Sequence, residues 1–80
     1  MLQVSQSVGL NRRFALVEGM TALVLRVRGE YREMPGLHLT VPQAARLFGV
    51  TDDVAHAVLE TLRQKSVLTC SALGQYSVRR

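Results

Sequence analysis

Residues 40–64 read TVPQAARLFGVTDDVAHAVLETLRQ, two short helical stretches joined by Phe48-Gly49-Val50-Thr51. Apolar and small residues recur at helical spacing on both sides of that turn. Ala44 and Ala45 let two helices approach closely, and Gly49 supplies the freely adopted backbone that a tight turn needs. Val50, Ala55, Val58 and Leu62 are the expected seam between the second helix and the core. Thr40, with Gln43 three residues on, makes a capping box, and Pro42 falls in the first turn, where no intrahelical donor is required. Losing that cap costs about 1 kcal/mol. Thr51 caps the second helix, and Asp52 and Asp53 in its first turn suit the helix dipole. Those two acids therefore have a sufficient structural explanation.

On the N-terminal side, residues 1–12 are mostly polar and carry no sustained period, as expected of a flexible tail. From Phe14 to Glu33, Leu16, Met20, Leu23, Val24, Val27, Tyr31 and Met34 recur every three or four residues. They form one stripe of an amphipathic helix, which Pro35-Gly36 ends. Phe14, Ala22 and Leu25 make a thinner apolar line on the other side. It reads as ordinary scattered surface apolarity, with a dimer seam as the alternative. Residues 36–39 alternate like a short strand. On the C-terminal side, residues 67–70 and 75–78 are β-rich runs around a short loop containing Gly74, which reads as a hairpin. No internal repeat or low-complexity segment is visible. The chain is read as one domain, residues 13–80, after the tail of residues 1–12. It is mainly α with a small β-hairpin. The order is helix, short strand, helix, turn, helix and two-stranded wing, with the strand around His38 joining the sheet of the hairpin.

Eighty residues suffice for one domain, burying roughly 60% of the surface exposed by the unfolded chain. A hydrophobic fraction of 48% argues against global disorder. The net charge of +4 points to nucleic acid or another acidic partner, and equally to the solubility of a small basic chain. Cys70 is the single cysteine, so a disulfide framework is excluded and a reducing compartment is expected. In its strand it reads as a small buried hydrophobe. His38, His56 and Cys70 are too far apart for a zinc motif, and neither metal nor cofactor is expected. Asn11-Arg12-Arg13-Phe14 has the look of a twin-arginine signal. The apolar stretch after it contains Glu18, ends at Arg26 and Arg28, lacks a cleavage site and is too short to span a membrane. A cytoplasmic protein with no membrane association is expected.

LTVPQAARLFGVT followed by VLETLRQKSVLTCSALGQYSV resembles the winged helix-turn-helix proteins of bacteria. EMPGLHLTVPQAARLFGV is similar, more narrowly, to short stand-alone bacterial winged-helix proteins of unassigned role. The likeness covers roughly residues 16–79. It implies a DNA-binding regulator of transcription, often dimeric, with the helix of residues 52–64 in the major groove. Thr51, Asp53, His56 and Ala57 then meet base edges, while Gln43, Arg46, Arg63, Lys65 and Arg79 meet phosphates.

Charge qualifies that expectation. Asp52, Asp53 and Glu60 precede the first cation of the second helix, and residues 71–75 of the hairpin loop carry no positive charge. With three to five phosphate contacts per protomer, non-specific affinity falls in the range of roughly 10⁻⁴ to 10⁻⁶ M. Double-stranded DNA is thus the expected partner, and a homodimer or a protein partner the means of raising affinity. The alternative is a winged-helix adaptor that contacts protein, with Asp53, His56 and Glu60 as a polar docking face. An enzyme is not expected. No base is oriented beside Cys70, Asp52 and Asp53 diverge as adjacent helical residues, and there is no phosphate-cradling Gly loop.

Overall fold

Among the described residues, three helices precede a hairpin: α1 (Val8–Glu33), α2 (Val41–Phe48), α3 (Asp52–Gln64), β1 (Leu68–Cys70) and β2 (Tyr76–Val78). A computed structural model of the chain describes residues 8–79, with side chains from Gly19 onward. Residues 1–7 of the expected tail, the side chains of Phe14 and Leu16, and Arg80 lie outside the described residues.

α1 starts at Val8, inside the stretch read as tail. Extending an existing helix adds one hydrogen bond per residue fixed, so it needs no amphipathic period of its own. The stripe seen in the sequence is the part with something to pack against. Val27 and Tyr31 are buried, and Met20, Leu23 and Val24 pack half-buried against the core. Met34 lies beyond the helix and is exposed. There the Met34 N–H donates to the Glu30 carbonyl at 2.9 Å, and the Leu37 N–H to the Met34 carbonyl at 2.9 Å. Proline disfavours helical backbone in the residue before it, so the turn falls at Pro35-Gly36.

The central helix pair forms as its local chemistry dictates. The Gln43 N–H donates to the Thr40 hydroxyl at 3.3 Å, and the Thr40 N–H donates to Gln43 Oε1 at 2.9 Å, completing the capping box. Gly49 closes α2 in the left-handed conformation, φ +68° and ψ +39°, with its N–H bonded to the Ala45 carbonyl. The Val50 N–H also donates to that carbonyl, at 2.9 Å. The close approach expected of Ala44 and Ala45 is present: both are buried, with Phe48, in the core that α3 enters through Ala55, Val58, Leu59 and Leu62. Val50 is half-buried at its edge.

β1 and β2 pair antiparallel, Leu68 opposite Val78, Thr69 opposite Ser77 and Cys70 opposite Tyr76. The short strand expected at residues 36–39 reduces to one bridge. The Leu39 N–H donates to the Tyr76 carbonyl at 3.0 Å, and the Tyr76 N–H donates to the Leu39 carbonyl at 2.7 Å. Pro35 and Gly36 leave too little regular chain before Leu39 to extend the ladder, and α2 starts two residues after it. Cys70 departs from its reading as a buried residue: it is exposed, with Sγ donating to the Ser71 carbonyl at 3.5 Å. Leu68, on the same side of the strand, is buried. Two residues advance the strand by about 7 Å, enough to leave a core this small.

Tyr76 gathers the parts. Its carbonyl also accepts the Tyr31 hydroxyl at 2.8 Å, so both carbonyl lone pairs are used. Tyr31 is 1% exposed, and burial pushes its hydroxyl pKa up. The bond supplies the partner that a buried hydroxyl requires and joins α1 to the hairpin.

Candidate nucleic-acid interface

α3 divides lengthwise. Ala55, Val58, Leu59 and Leu62 are buried, whereas Asp53, His56, Ala57, Arg63 and Gln64 are exposed and Glu60 is half-buried. The 3.6-residue period separates the two sets. Of the residues expected at base edges, Asp53, His56 and Ala57 share this solvent face. Thr51 stands at its N-terminal end, exposed, and its hydroxyl accepts the Val54 N–H at 3.2 Å. That hydroxyl accepts one bond in capping the helix and keeps its O–H to donate.

Gln43, Arg46, Lys65 and Arg79 are exposed, on α2, on α2, at the C-cap of α3 and after β2 respectively. The carbonyl end of the Gln43 side chain is held by the capping box, leaving its amide NH₂ to face outward. Among the described residues, Arg46, Lys65 and Arg79 have no carboxylate partner.

Arg63 differs from the other cations. Its Nε donates to both Glu60 carboxylate oxygens, at 2.9 and 3.1 Å, and a terminal nitrogen donates to Oε1 at 2.7 Å. The Tyr76 hydroxyl donates to the same carboxylate at 2.6 Å. The bond from Arg63, then the one from Tyr76, holds the Glu60 carboxyl down to about 2, with a smaller contribution from His56. Reciprocally, the bond to Glu60 raises the Arg63 pKa. Burial, then Glu60, raises the Tyr76 hydroxyl. The residue expected at a phosphate is thus already paired. Glu60 and Arg63, one helical turn apart, could be read as neighbours from spacing alone. The Tyr76 contact spans 16 residues and leaves no periodic signal.

The hairpin loop is shaped by Ser71, whose hydroxyl accepts the Leu73 and Gln75 N–H groups at 3.2 Å each. The Ser71 N–H donates to the Gln75 carbonyl and the Gly74 N–H to the Ser71 carbonyl, both at 2.9 Å. Gly74 takes φ +79°, and Leu73 at the tip is 83% exposed. This loop offers backbone and an apolar side chain, without charge. Arg26, noted in the sequence only as ending an apolar stretch, has its guanidinium 5.6 Å from the centre of the Phe48 ring. That position is a cation–π contact that links α1 to α2.

Among the described residues, no three His, Cys, Asp or Glu side chains cluster as metal ligands, and no helix is long and apolar enough to cross a membrane. The chain matches no family model, no curated protein and no solved structure.

Proposed function

We propose that this chain is a winged-helix protein that binds duplex DNA, with α3 in the major groove and the β1–β2 hairpin as its wing. The observation that carries the reading is the free face of α3, the second member of a capped helix pair. Asp53, His56 and Ala57 stand on that face clear of the core, and Arg46, Lys65 and Arg79, without a carboxylate partner among the described residues, lie on α2, at the C-cap of α3 and after β2. An acid facing the groove is compatible with base readout, because Asp accepts a hydrogen bond from the cytosine amino group. Regulation of transcription is the role such binding serves, and a homodimer supplies the second half-site that weak single-domain affinity needs.

Fluorescence anisotropy against a mixed-sequence duplex, from 50 to 200 mM salt, tests this. Three free cations give a slope of about −2.7 in log affinity against log salt, a loss of about 40-fold over that range. Arg46→Ala and Lys65→Ala each reduce the slope by about one unit on all duplexes, whereas His56→Ala changes sequence preference. Folded protein that binds no duplex at 50 mM salt refutes the reading.

The Glu60–Arg63 pair specifically favours a second reading, a protein-contacting adaptor. It neutralises the cation in the last turn of α3, leaving Asp53 and Asp52 to set the sign of that face. Under that reading Asp53→Asn weakens capture of a basic partner, and duplex affinity is absent throughout.

A further inference from the structure

A groove of about 540 Å³ opens between α1 and the C-terminal turn of α3. Met20, Val24 and Leu25 line it from α1, and Leu62 and Val67 from the opposite side. Leu25 is 59% exposed, far more than a leucine serving only the core. Two cations belong to the same lining: Arg28, one turn beyond Val24, and Lys65, one turn beyond Leu62. Among the described residues no acidic side chain lines the groove, and neither cation has a carboxylate partner. The volume falls within the range of small-molecule sites, which combine apolar walls with a few polar groups that fix orientation.

We propose that this groove binds an amphipathic organic anion, an aliphatic or aromatic body ending in a carboxylate. The apolar body lies along Met20, Val24, Leu25 and Val67, and the carboxylate meets Arg28 and Lys65. Charge separates this occupant from the others. In a two-fold dimer centred on this patch the same residues face each other, bringing two pairs of cations together with no acid among the described lining residues to offset them. Residues 1–7 of the chain, MLQVSQS, contain no acid either. An anionic guest satisfies both the apolar walls and the cations. The groove and its guest require no duplex, so the inference stands without DNA binding, although Lys65 is shared with the proposed phosphate contacts.

Decanoate and decanol, the same chain with and without the charge, are the probes, followed by methyl and amide NMR on the whole protein. Decanoate is expected to saturate at roughly 10⁻⁴ M, with shifts confined to Val24, Leu25, Leu62, Val67 and their neighbours. Arg28→Gln with Lys65→Gln weakens decanoate about tenfold and leaves decanol unchanged. Leu25→Asp, at an exposed position that the fold tolerates, abolishes binding of both. Equal affinity for decanoate and decanol overturns the proposal, as do decanoate shifts that fail to saturate or scatter over the surface. So does a dimer by sedimentation whose contacts protect the groove methyls, because the occupant is then a second copy.

Discussion

Glu60→Gln should raise, not lower, the affinity of this protein for duplex DNA. The carboxylate holds Arg63 through three nitrogen–oxygen contacts of 2.7 to 3.1 Å. Substituting an uncharged amide removes an acid from the proposed groove face and releases one guanidinium. Each additional phosphate contact changes the salt slope by about −0.9, so three free cations become four and the slope moves from about −2.7 to about −3.6. At 0.1 M salt that extra contact multiplies affinity about eightfold. Anisotropy titrations at several salt concentrations read both quantities. Circular dichroism reports whether the variant is folded, since the substituted amide must still accept the Tyr76 hydroxyl. The double variant Glu60→Gln with Arg63→Gln should return to the original slope, and Arg63→Gln alone should leave it unchanged. The pairing makes these effects non-additive, which is the signature of coupled residues. An unchanged slope in folded Glu60→Gln protein would refute the reasoning: Arg63 would then meet no phosphate even when free.

Two further outcomes follow from the fold itself. Gly49→Ala meets no atom within 4 Å, so its cost is backbone strain alone at φ +68°. About 1 kcal/mol is expected, or a fall of about 4–8 °C in melting temperature, with Gly36→Ala neutral or better as the control; equal melting of the two would remove the argument. The depressed carboxyl of Glu60 contributes stability that is present above its unfolded value near 4.5 and is lost as pH falls toward about 2. Denaturant midpoints should therefore drop across that interval in the native chain and much less in Glu60→Gln, and parallel profiles would assign the acid sensitivity elsewhere.

Sequence-local physics was legible. The capping box at Thr40 and Gln43, the cap at Thr51, the left-handed turn at Gly49 and the buried stripe of α3 each depend on residues within four positions of one another. The hairpin was legible for the same reason, since its strands are joined by a short loop. What escaped the sequence depends on partners far along the chain. The α1 stripe indicated where that helix packs but not where it begins, because Val8 and its neighbours require only helix propagation. Residues 36–39 alternate as a strand should, yet form a single bridge at Leu39, because a ladder needs chain on both sides of the pair. Cys70 alternates correctly and is still exposed, since a strand of three residues outruns the core. The candidate site divides likewise: the solvent face at Asp53, His56 and Ala57 follows from period, while the fate of Arg63 is set by Glu60 and by Tyr76 from the hairpin.

Tyr76 thereby couples stability to the charge of the α3 face. Its backbone joins the Leu39 segment, its carbonyl receives Tyr31 from α1, and its hydroxyl donates to Glu60. The hydroxyl bond favours an ionised Glu60, and an ionised Glu60 favours the pairing that occupies Arg63. The C-terminal part of the α3 face is consequently occupied by an ion pair, and among the described residues the cations around it without a carboxylate partner are Arg46 on α2, Lys65 at the end of α3 and Arg79 beyond the hairpin. A duplex bound there would be held at its phosphates by those outlying cations and read through Asp53, His56 and Ala57. That separates the residues that set affinity from those that set sequence preference. Weak binding by one domain alone would follow from the same pairing: the cation that would add a further contact is already engaged by Glu60, which also accepts the Tyr76 hydroxyl of the hairpin.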